Sequence, residues 1–456
     1  MNEQKVLPTL LNLSSFTSCL KGNLTITKAK KIFDLLQCFL CVASFTGGVR
    51  SLSRYSEQSE RCLHRLIGWS GFKWVGVYVL LFRTFLHKSG SVYLLASDET
   101  VEGKAGHHTF GLDSFYSSIL KQPIKSVCLS CFSLLDVSAK KSYFMGFEQV
   151  VYTSEDKARI AADKAKKIAG KGKPAGRQKG TKNKEKTAGP EVETASYRAF
   201  KSFFITLIDN LRLLIPSLNL VYLVVDSAYA SRNYLKLIGE KKLFIISRLR
   251  KTPALHFKYE GPKTKTKPKK YGAKVDISKI DNKYFQFEKK KNGIIYKTYQ
   301  FQAWNKEMAD FLLNVVCVVA YNPQTKTQAT AYFFSNNLDL TAENMIEYYA
   351  LRFQIEFDFR ETKQHFGLHK MKNYKQIQMN NMFNLAFLAR LCAQILQKQW
   401  AEKLQNPKIS ISDIKTIYKA QWTLKQAIKA DTKDLNPIFS PQFINDFVPK
   451  DIINAA

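Results

Sequence analysis

The sequence predicts an α/β protein, in which a mixed sheet with flanking helices follows a helical N-terminal region and precedes a helical tail. Short, continuously apolar runs at residues 92–96 and 220–225 have the length and composition of strands that are buried on both faces. Residues 197–214 lie between these runs and repeat their apolar positions at helical spacing. Buried strands separated by a helix indicate a mixed α/β sheet.

Residues 1–88 are predicted to form a helical N-terminal domain, because Leu, Phe and Cys recur there at three-to-four spacing between glycine breaks. Within this region, residues 51–65 combine hydroxyl and arginine side chains, which suits either a helix that faces a DNA groove or a solvated helix. We assign DNA binding to this domain. The first part of the α/β core then spans residues 89–247 and includes a further apolar strand at 126–135.

Two segments interrupt this pattern. Residues 157–190 form a predicted basic, flexible loop, because 157–186 holds twelve Lys and Arg residues against two acids and loses apolar periodicity. Residues 248–335 contain alternating stretches typical of strands and are predicted to form a β-rich insertion with a basic surface. The chain becomes helical again at 336–405, the last part of the core, and ends in a helical tail at 406–456.

The charge of the chain predicts a polyanionic partner. Lys and Arg total 70 against 37 Asp and Glu, so the formal net charge is +33 at pH 7. Nucleic acid is the first expectation and an anionic membrane surface the second. No apolar run reaches the ~20 residues of a membrane-spanning helix, and no basic-then-apolar signal segment opens the sequence. We therefore expect a cytoplasmic, nucleoid-associated protein without a membrane partner.

The cysteines include two C-x-x-C pairs, Cys38/Cys41 and Cys128/Cys131, which is a spacing found in zinc sites. Both pairs lie inside apolar runs and lack a flanking histidine. We therefore interpret these four cysteines as small buried side chains and assign no structural zinc.

The segment around Glu356 places functional side chains at helical spacing. On one continuous helix, at about 100° per residue, four of them fall within about 60° of one another: Tyr349, Arg352, Glu356 and Lys363. Asp358 and Glu361 point elsewhere. A carboxylate on such a stripe can hold a divalent cation while the bases and the phenol grip phosphates on either side. A charged helix stabilised by i,i+4 ion pairs fits the same stripe equally well.

Two aspartates that end apolar strand runs supply further carboxylates. Asp98 follows the run 92–96, and Asp226 follows the run 220–225. Carboxylates at the ends of buried strands can converge at one edge of a sheet, where with Glu356 they make an all-oxygen site suited to Mg²⁺ or Mn²⁺. An aspartate at a strand end is also a common turn former or helix N-cap, so each position alone leaves both interpretations open.

The stripe matches, without a gap, the signature Tyr-x2-Arg-x3-Glu-x6-Lys of one group of bacterial DDE insertion-sequence transposases, and the chain resembles that group in two further blocks. The first block of the group is a strand, an acidic pair, Thr and a Lys/Gly-rich turn, and residues 98–106 resemble it. The group usually has a second Asp where this chain has Glu99. The second block, an apolar strand followed by Asp, a small residue and an aromatic, resembles residues 226–229.

The resemblance implies a ribonuclease-H-like catalytic core with a β-rich insertion between the second aspartate and the glutamate. It implies that Asp98, Asp226 and Glu356 form the catalytic triad and bind two Mg²⁺ ions, with Mn²⁺ as a substitute. In such a site one ion activates the attacking oxygen and the other stabilises the leaving 3′ oxygen. The implied reactions are cleavage at the element's ends, a hairpin intermediate, and joining of the 3′-OH ends to target DNA.

The resemblance also implies a set of DNA contacts. Tyr349, Arg352 and Lys363 would orient phosphates near the scissile bond. Further candidates are Lys104 in the first block and, in the basic loop, Arg177 and Lys179, whose Gly-Arg-x-Lys-Gly tract suits a narrow minor groove. Trp304 in the insertion is a candidate for stacking on a flipped base, or a core residue. The implied partners are double-stranded DNA, as terminal inverted repeats and target, and a second copy of the chain in the synapse.

Two other functions fit the same residues. A metal-dependent nuclease or resolvase on this fold would cut DNA without joining it. A regulator derived from a transposase would bind DNA without catalysis, although the complete set of three carboxylates argues against this interpretation.

Overall fold

The computed structural model describes residues 12–42, 48–169, 193–262, 269–405 and 408–430. The strands are β1 (Val92–Gly103), β2 (Asp113–Ser117), β3 (Gln122–Asp136), β4 (Lys141–Val150), β5 (Asn219–Val224), β6 (Phe244–Arg248), β7 (Leu255–Lys258), β8 (Tyr271–Lys274), β9 (Phe285–Lys291), β10 (Ile294–Asn305), β11 (Leu312–Asn322) and β12 (Thr327–Ser335).

The helices in these ranges alternate with or flank the strands. They are α1 (Leu13–Cys19), α2 (Ile26–Cys41), α3 (Val49–Ser53), α4 (Glu60–Ile67), α5 (Trp74–Leu81), α6 (Ser154–Ala169), α7 (Ala195–Leu214), α8 (Arg232–Glu240), α9 (Ala342–Leu351), α10 (Gln354–Phe366), α11 (Gln376–Leu404) and α12 (Ile411–Ala430). The predicted mixed sheet with flanking helices is therefore confirmed.

The strands form one continuous mixed sheet, and β1 is central to its first half. β3 pairs antiparallel with β1 on one side, and β4 lies beyond β3. β5 pairs parallel with β1 on the other side, and β6 pairs parallel with β5. The order β4-β3-β1-β5-β6 places the carboxyl ends of β1, β5 and β6 at the same edge of the sheet.

Helices cover both faces of this part of the sheet. Phe132 of β3 stacks on Phe203 of α7, with ring centroids 5.2 Å apart. The next residue, Ser133, points to the opposite face and donates a hydrogen bond to Asp358 of α10. Burial on both faces explains why the central strands read as continuous apolar runs in the sequence.

The predicted β-rich insertion continues the same sheet. β12 pairs antiparallel with β6, and the order then runs β11, β10, β7 and β8, with β9 on the outer side of β10. All described strands between β6 and α9 belong to this extension.

The N-terminal helices pack into the same hydrophobic core as the sheet. In α5, the indole of Trp74 donates to Asn381 Oδ1 at 2.8 Å, and the hydroxyl of Tyr78 donates to the Asn384 carbonyl at 2.8 Å. Both acceptors lie on α11. The hydrophobic core is therefore continuous across the domain boundary predicted near residue 88.

Other local predictions had mixed outcomes. Cys38, Cys41, Cys128 and Cys131 are buried free thiols, as the apolar flanks indicated. The prediction of a loop from residue 157 is wrong for its first part, because α6 extends to Ala169. The rest of that loop, with Arg177 and Lys179, lies outside the described residues. None of the described helices combines the length and apolarity that a bilayer span requires.

A buried ionic group links the strands to α10 and α11. The side chain of Asp358 is fully buried, accepts hydrogen bonds from the hydroxyls of Ser133 and Ser142 at 2.5 Å, and forms an ion pair with Arg390. Arg390, whose side chain is 3% exposed, also lies 2.9 Å from Glu361. One arginine of α11 therefore pairs with two carboxylates of α10, of which Asp358 lies in a low-dielectric environment.

We predict that Arg390→Met lowers the free energy of unfolding by about 3–5 kcal/mol, because it leaves buried Asp358 without a counter-charge. The measurement is urea denaturation of the full chain, with unfolding monitored by circular dichroism. The control is Lys283→Ala, which removes a solvent-exposed pair with Asp281 and should cost less than about 1 kcal/mol. Equal urea midpoints for the two variants would show that Arg390 is not required to compensate Asp358.

Candidate active site

Asp98 and Asp226 are brought side by side by the parallel pairing of β1 and β5. The last register pair of the two strands is Ala96 with Val224, and each aspartate follows two residues later. Asp226 ends its strand and accepts a hydrogen bond from the Ala228 amide at 2.8 Å. Asp98 does not end its strand as predicted, because β1 continues to Gly103 in its antiparallel pairing with β3.

The segment that carries Glu356 is two helices and not the single helix that the angular argument assumed. α9 ends at Leu351, α10 begins at Gln354, and Arg352 and Phe353 form the turn between them. The common face predicted for Tyr349, Arg352, Glu356 and Lys363 therefore crosses a break. Arg352 and Glu356 remain neighbours across that turn, with Nη2 and Oε1 3.4 Å apart.

Arg352 connects the strand to the helix. Its Nη1 donates to Asp98 Oδ2 at 2.9 Å, while its Nη2 lies beside Glu356. The guanidinium carbon is 5.9 Å from the centre of the Tyr349 ring. The side chain of Arg352 is 16% exposed, so its charge acts on the two carboxylates with little screening by water. The structure thus places Asp98, Asp226, Glu356, Arg352 and Tyr349 in one cleft.

The electrostatics of this cleft favour a cation. Burial raises the pKa of Asp98 to about 6; Arg352 opposes the rise, and the charges of Asp226 and Glu356 add to it. The pKa of Tyr349 is also raised, chiefly by burial, so its hydroxyl stays protonated at neutral pH and can donate a hydrogen bond. Three carboxylates that repel one another in a partly buried site gain from any positive charge placed between them.

The carboxylate oxygens of the cleft suit a hard divalent ion, although Arg352 occupies the space between two of these carboxylates. In the described ranges, no three acidic, histidine or cysteine side chains are positioned to hold a metal ion together. Asp98, Asp226 and Glu356 all offer oxygen, the ligand that Mg²⁺ and Mn²⁺ prefer. Joint coordination by all three requires Arg352 to release Asp98 and Glu356. The three carboxylates are therefore suitable ligands for a divalent ion. In this conformation the guanidinium of Arg352 supplies the positive charge between Asp98 and Glu356.

Lys363 lies further along α10 and binds a carboxylate that the sequence analysis overlooked. Its Nζ is 2.8 Å from Oε1 of Glu102, whose side chain is 2% exposed. Side chains alternate along a strand, so Glu102 projects to the same face of β1 as Asp98. Lys363 is therefore the ionic partner of a buried glutamate, and it does not touch the Asp98 carboxylate cluster directly.

The remaining predicted residues occupy three different environments. Asp358 and Glu361 point away from the cleft as expected, but they bind Arg390 and are not solvated surface charges. Lys104 is half-buried and donates to the Met371 carbonyl. Trp304 is half-buried in β10, with the ammonium of Lys270 3.7 Å from its ring centre, so a cation covers the face proposed for base stacking.

A cavity of about 390 Å³ opens beside the two aspartates. Its walls combine carboxylates with hydroxyl-bearing side chains, among them Glu99, Ser196, Tyr197 and Tyr234. Glu99, which occupies the position of the second acid in the first block, accepts a hydrogen bond from Cys128 Sγ at 3.6 Å. It faces this cavity beside Asp98 and Asp226, so space for substrate adjoins the aspartate pair.

Comparison with known proteins found two similarities that include part of this cleft. Residues 199–392 match the sequence model of the family described as "Transposase DDE domain". The matched segment contains Asp226 and Glu356 and begins after Asp98. Over 238 residues the chain is 24% identical to the transposase for insertion sequence element IS231E of Bacillus thuringiensis subsp. finitimus, an alignment that covers 47% of this chain. The chain spans about half the length of that curated relative, 50% of which is aligned.

We predict that Asp98→Asn stabilises the protein and that the gain depends on pH. A carboxyl with a pKa near 4 in the unfolded chain and about 6 in the folded chain holds its proton more tightly when folded. Folding stability therefore falls as pH rises from about 4 to about 6 and stays reduced above that range. The amide that replaces the carboxyl in the variant cannot ionise and avoids this loss.

The measurement is the thermal midpoint of both proteins from pH 4 to pH 8 in the presence of a chelator. The difference in favour of Asp98→Asn should grow up to about pH 6 and then level off. Asp163→Asn, which changes an exposed carboxylate of α6, is the matched control and should show no such trend. A difference that is the same at every pH would contradict the raised pKa of Asp98.

Proposed function

We propose that this chain is a bacterial DDE transposase of an insertion sequence, which cuts DNA at the ends of a mobile element and joins the freed 3′-OH ends to target DNA. The observation that carries the proposal is the cleft in which Arg352 binds Asp98 and Glu356 while Asp226 lies in register beside Asp98. The members of DDE families generally use divalent metal ions, and this cleft concentrates carboxylates at a single place.

We propose a ribonuclease-H-like core for the catalytic part. The order β4-β3-β1-β5-β6 supports it, with the first three strands antiparallel and the last two parallel to β1. The extension from β7 to β12 lies between Asp226 and Glu356 in the chain, where the family resemblance expects an insertion. The aspartates on neighbouring strands and the glutamate on α10 then form the triad.

The roles of the side chains follow from their positions. Asp98, Asp226 and Glu356 would hold two Mg²⁺ ions, or Mn²⁺ in their place, which when bound activate the attacking oxygen and stabilise the leaving 3′ oxygen. Arg352, released from its two carboxylates, presents two parallel N–H donors that match the oxygens of a phosphate. The protonated hydroxyl of Tyr349 adds a donor beside it. These groups would fix the scissile phosphate within the cleft.

Lys363 has two roles in this proposal. Its ion pair with Glu102 fixes the far end of α10 against β1, and its ammonium, 26% exposed, can contact a phosphate with its remaining hydrogens. The hairpin intermediate, the action on terminal inverted repeats as a homodimer, and a nucleoid-associated location in the cytoplasm complete the proposed function. They rest on the family resemblance and on the net charge of +33.

We predict that Asp98→Asn, Asp226→Asn and Glu356→Gln each reduce DNA cleavage by at least about 100-fold, because each removes a metal-binding charge worth several kcal/mol in the transition state. Affinity for the element end should change by less than about threefold. The assay is single-turnover cleavage of a duplex that carries the inverted repeat flanking the reading frame, with binding measured by gel shift. Asp163→Asn is the control and should cleave normally.

Two outcomes would revise the proposal. A variant that still cleaves removes its residue from the triad. Cleavage by the unaltered chain without joining of the 3′ ends to a second duplex would identify a nuclease or resolvase, and binding without any cleavage would identify a regulator. The same substrate therefore separates the transposase from both alternatives.

We also predict that Mg²⁺ or Mn²⁺ raises the thermal midpoint of the unaltered protein at pH 7.5 and leaves that of Glu356→Gln and Asp226→Asn nearly unchanged. A ligand present at about 100 times its Kd stabilises the folded state by about 2.7 kcal/mol. Differential scanning calorimetry measures this without any DNA. An equal rise in the triad variants would locate the ions at another site.

A further inference from the structure

A second cavity lies beyond the candidate active site, between the loop that follows β1 and the segment that follows α10. It has a volume of about 690 Å³, and its walls are residues 103–109, His369 and residues 371–374. The polar side chains among these residues are mostly basic or hydrogen-bond donors: Lys104, His107, His108, His369, Lys372 and Asn373. The candidate active site uses none of them apart from the DNA contact predicted for Lys104.

The two walls are joined by direct hydrogen bonds, so the cavity is built into the fold. The ammonium of Lys104 donates to the Met371 carbonyl at 2.5 Å and lies 5.1 Å from the centre of the Phe383 ring. The Phe110 amide donates to the Tyr374 carbonyl at 2.9 Å. Lys104 uses one of its three hydrogens in this way and keeps two for a ligand. Its position is therefore set before any ligand arrives.

The charge of the cavity selects for an anion. The lining residues, all within the described ranges, include two lysines and three histidines but no carboxylate. Glu102, the nearest acid along β1, is already paired with Lys363. Lys125 adds a further cation at the rim, where its Nζ is 3.1 Å from His107 Nδ1. Burial disfavours the charged form of Lys104 and lowers its pKa to about 8. A bound anion would stabilise the charged ammonium again.

The spacing between the cavity and the carboxylates matches a length of DNA. From Asp98 to Lys104 is six residues of β1 and its continuation, or about 20 Å at ~3.3 Å per residue. From Glu356 to His369 is thirteen residues of mostly helical chain, which is also about 20 Å at ~1.5 Å per residue. Phosphates of one DNA strand follow each other at about 3.4 Å along the helix axis, so this distance corresponds to about six nucleotides.

We propose that this cavity binds a backbone phosphate of the element-end DNA about six nucleotides from the scissile phosphate, with Lys104 and Lys372 as the principal cations and His369 as an additional donor. The site rests on the proposed transposase function, because that function supplies the DNA strand which would cross the cleft. It holds the strand at a second point, so that rotation about the scissile phosphate is restricted. The contact is made to the backbone and carries no direct sequence information.

The test is the salt dependence of DNA binding by the full chain, measured with a 30-bp duplex in a background of Asp98→Asn so that no DNA is cut. The variants are Lys104→Gln and Lys372→Gln, and the matched control is Lys88→Gln, an exposed lysine at the opposite end of β1. Lys372 is exposed and outside any helix or strand, so its substitution does not endanger folding even if Lys104→Gln proves unstable.

Each pocket variant should make the slope of log K against log salt shallower by about 0.9, the contribution of one neutralised phosphate. Between 50 and 200 mM KCl, the parent protein should lose about three- to fourfold more affinity than either variant. Lys88→Gln should keep the parent slope. Unchanged slopes in both pocket variants, or an equal change in Lys88→Gln, would overturn the proposal.

A second measurement locates the phosphate. Single methylphosphonates are placed along the strand, numbered from the cleavage position found with the active chain. Neutralising about the sixth phosphate should weaken binding by the parent and have no further effect on Lys372→Gln, whereas an effect confined to the scissile phosphate would overturn the assignment. If the slopes shift but the active chain never cleaves, the proposed function fails and the phosphate site stands. If cleavage occurs with unchanged slopes, only the phosphate site fails.

Discussion

The ionic contact from Arg352 to Asp98 and Glu356 is the interaction on which the geometry of the candidate site depends. It joins a central strand to the helix that crosses it, in an environment where the arginine is only 16% exposed. The break between α9 and α10 places Arg352 in a turn, so its side chain can reach the strand while Glu356 stays one helical turn away. Parallel pairing of β1 and β5 then places Asp226 beside Asp98.

α10 is held over the sheet by charges along its length. Arg352 pairs with Asp98, Lys363 pairs with Glu102, and on the other side Asp358 pairs with Arg390. Buried ion pairs contribute little net stability compared with well-packed apolar groups, but they penalise any shift that separates the partners. Such pairs suit a helix that must keep one carboxylate in register with two others on the sheet.

The sequence identified the strands that carry the aspartates because burial on both faces leaves an uninterrupted apolar run. It misplaced the end of β1, because pairing with β3 continues after the run becomes polar. Glu102 and Arg390 went unnoticed, since their partners are over 250 and about 30 residues away and no local pattern records such contacts. Treating 349–363 as one helix was wrong because no Gly or Pro in this segment marks the turn at 352–353.

The chain carries a large positive charge, yet its candidate active site is a cluster of carboxylates. Asp98, Asp226 and Glu356 repel a DNA phosphate as well as one another, and Arg352 offsets part of this negative charge. In the proposed function, a DNA duplex is held mainly by cations outside the cleft, where their attraction is not cancelled by nearby acids. The basic cavity around Lys104 meets this requirement because Glu102, the acid closest to it along β1, is neutralised by Lys363. Because the cations that would attract DNA lie in a separate cavity, the cleft can keep the carboxylates that a divalent ion needs.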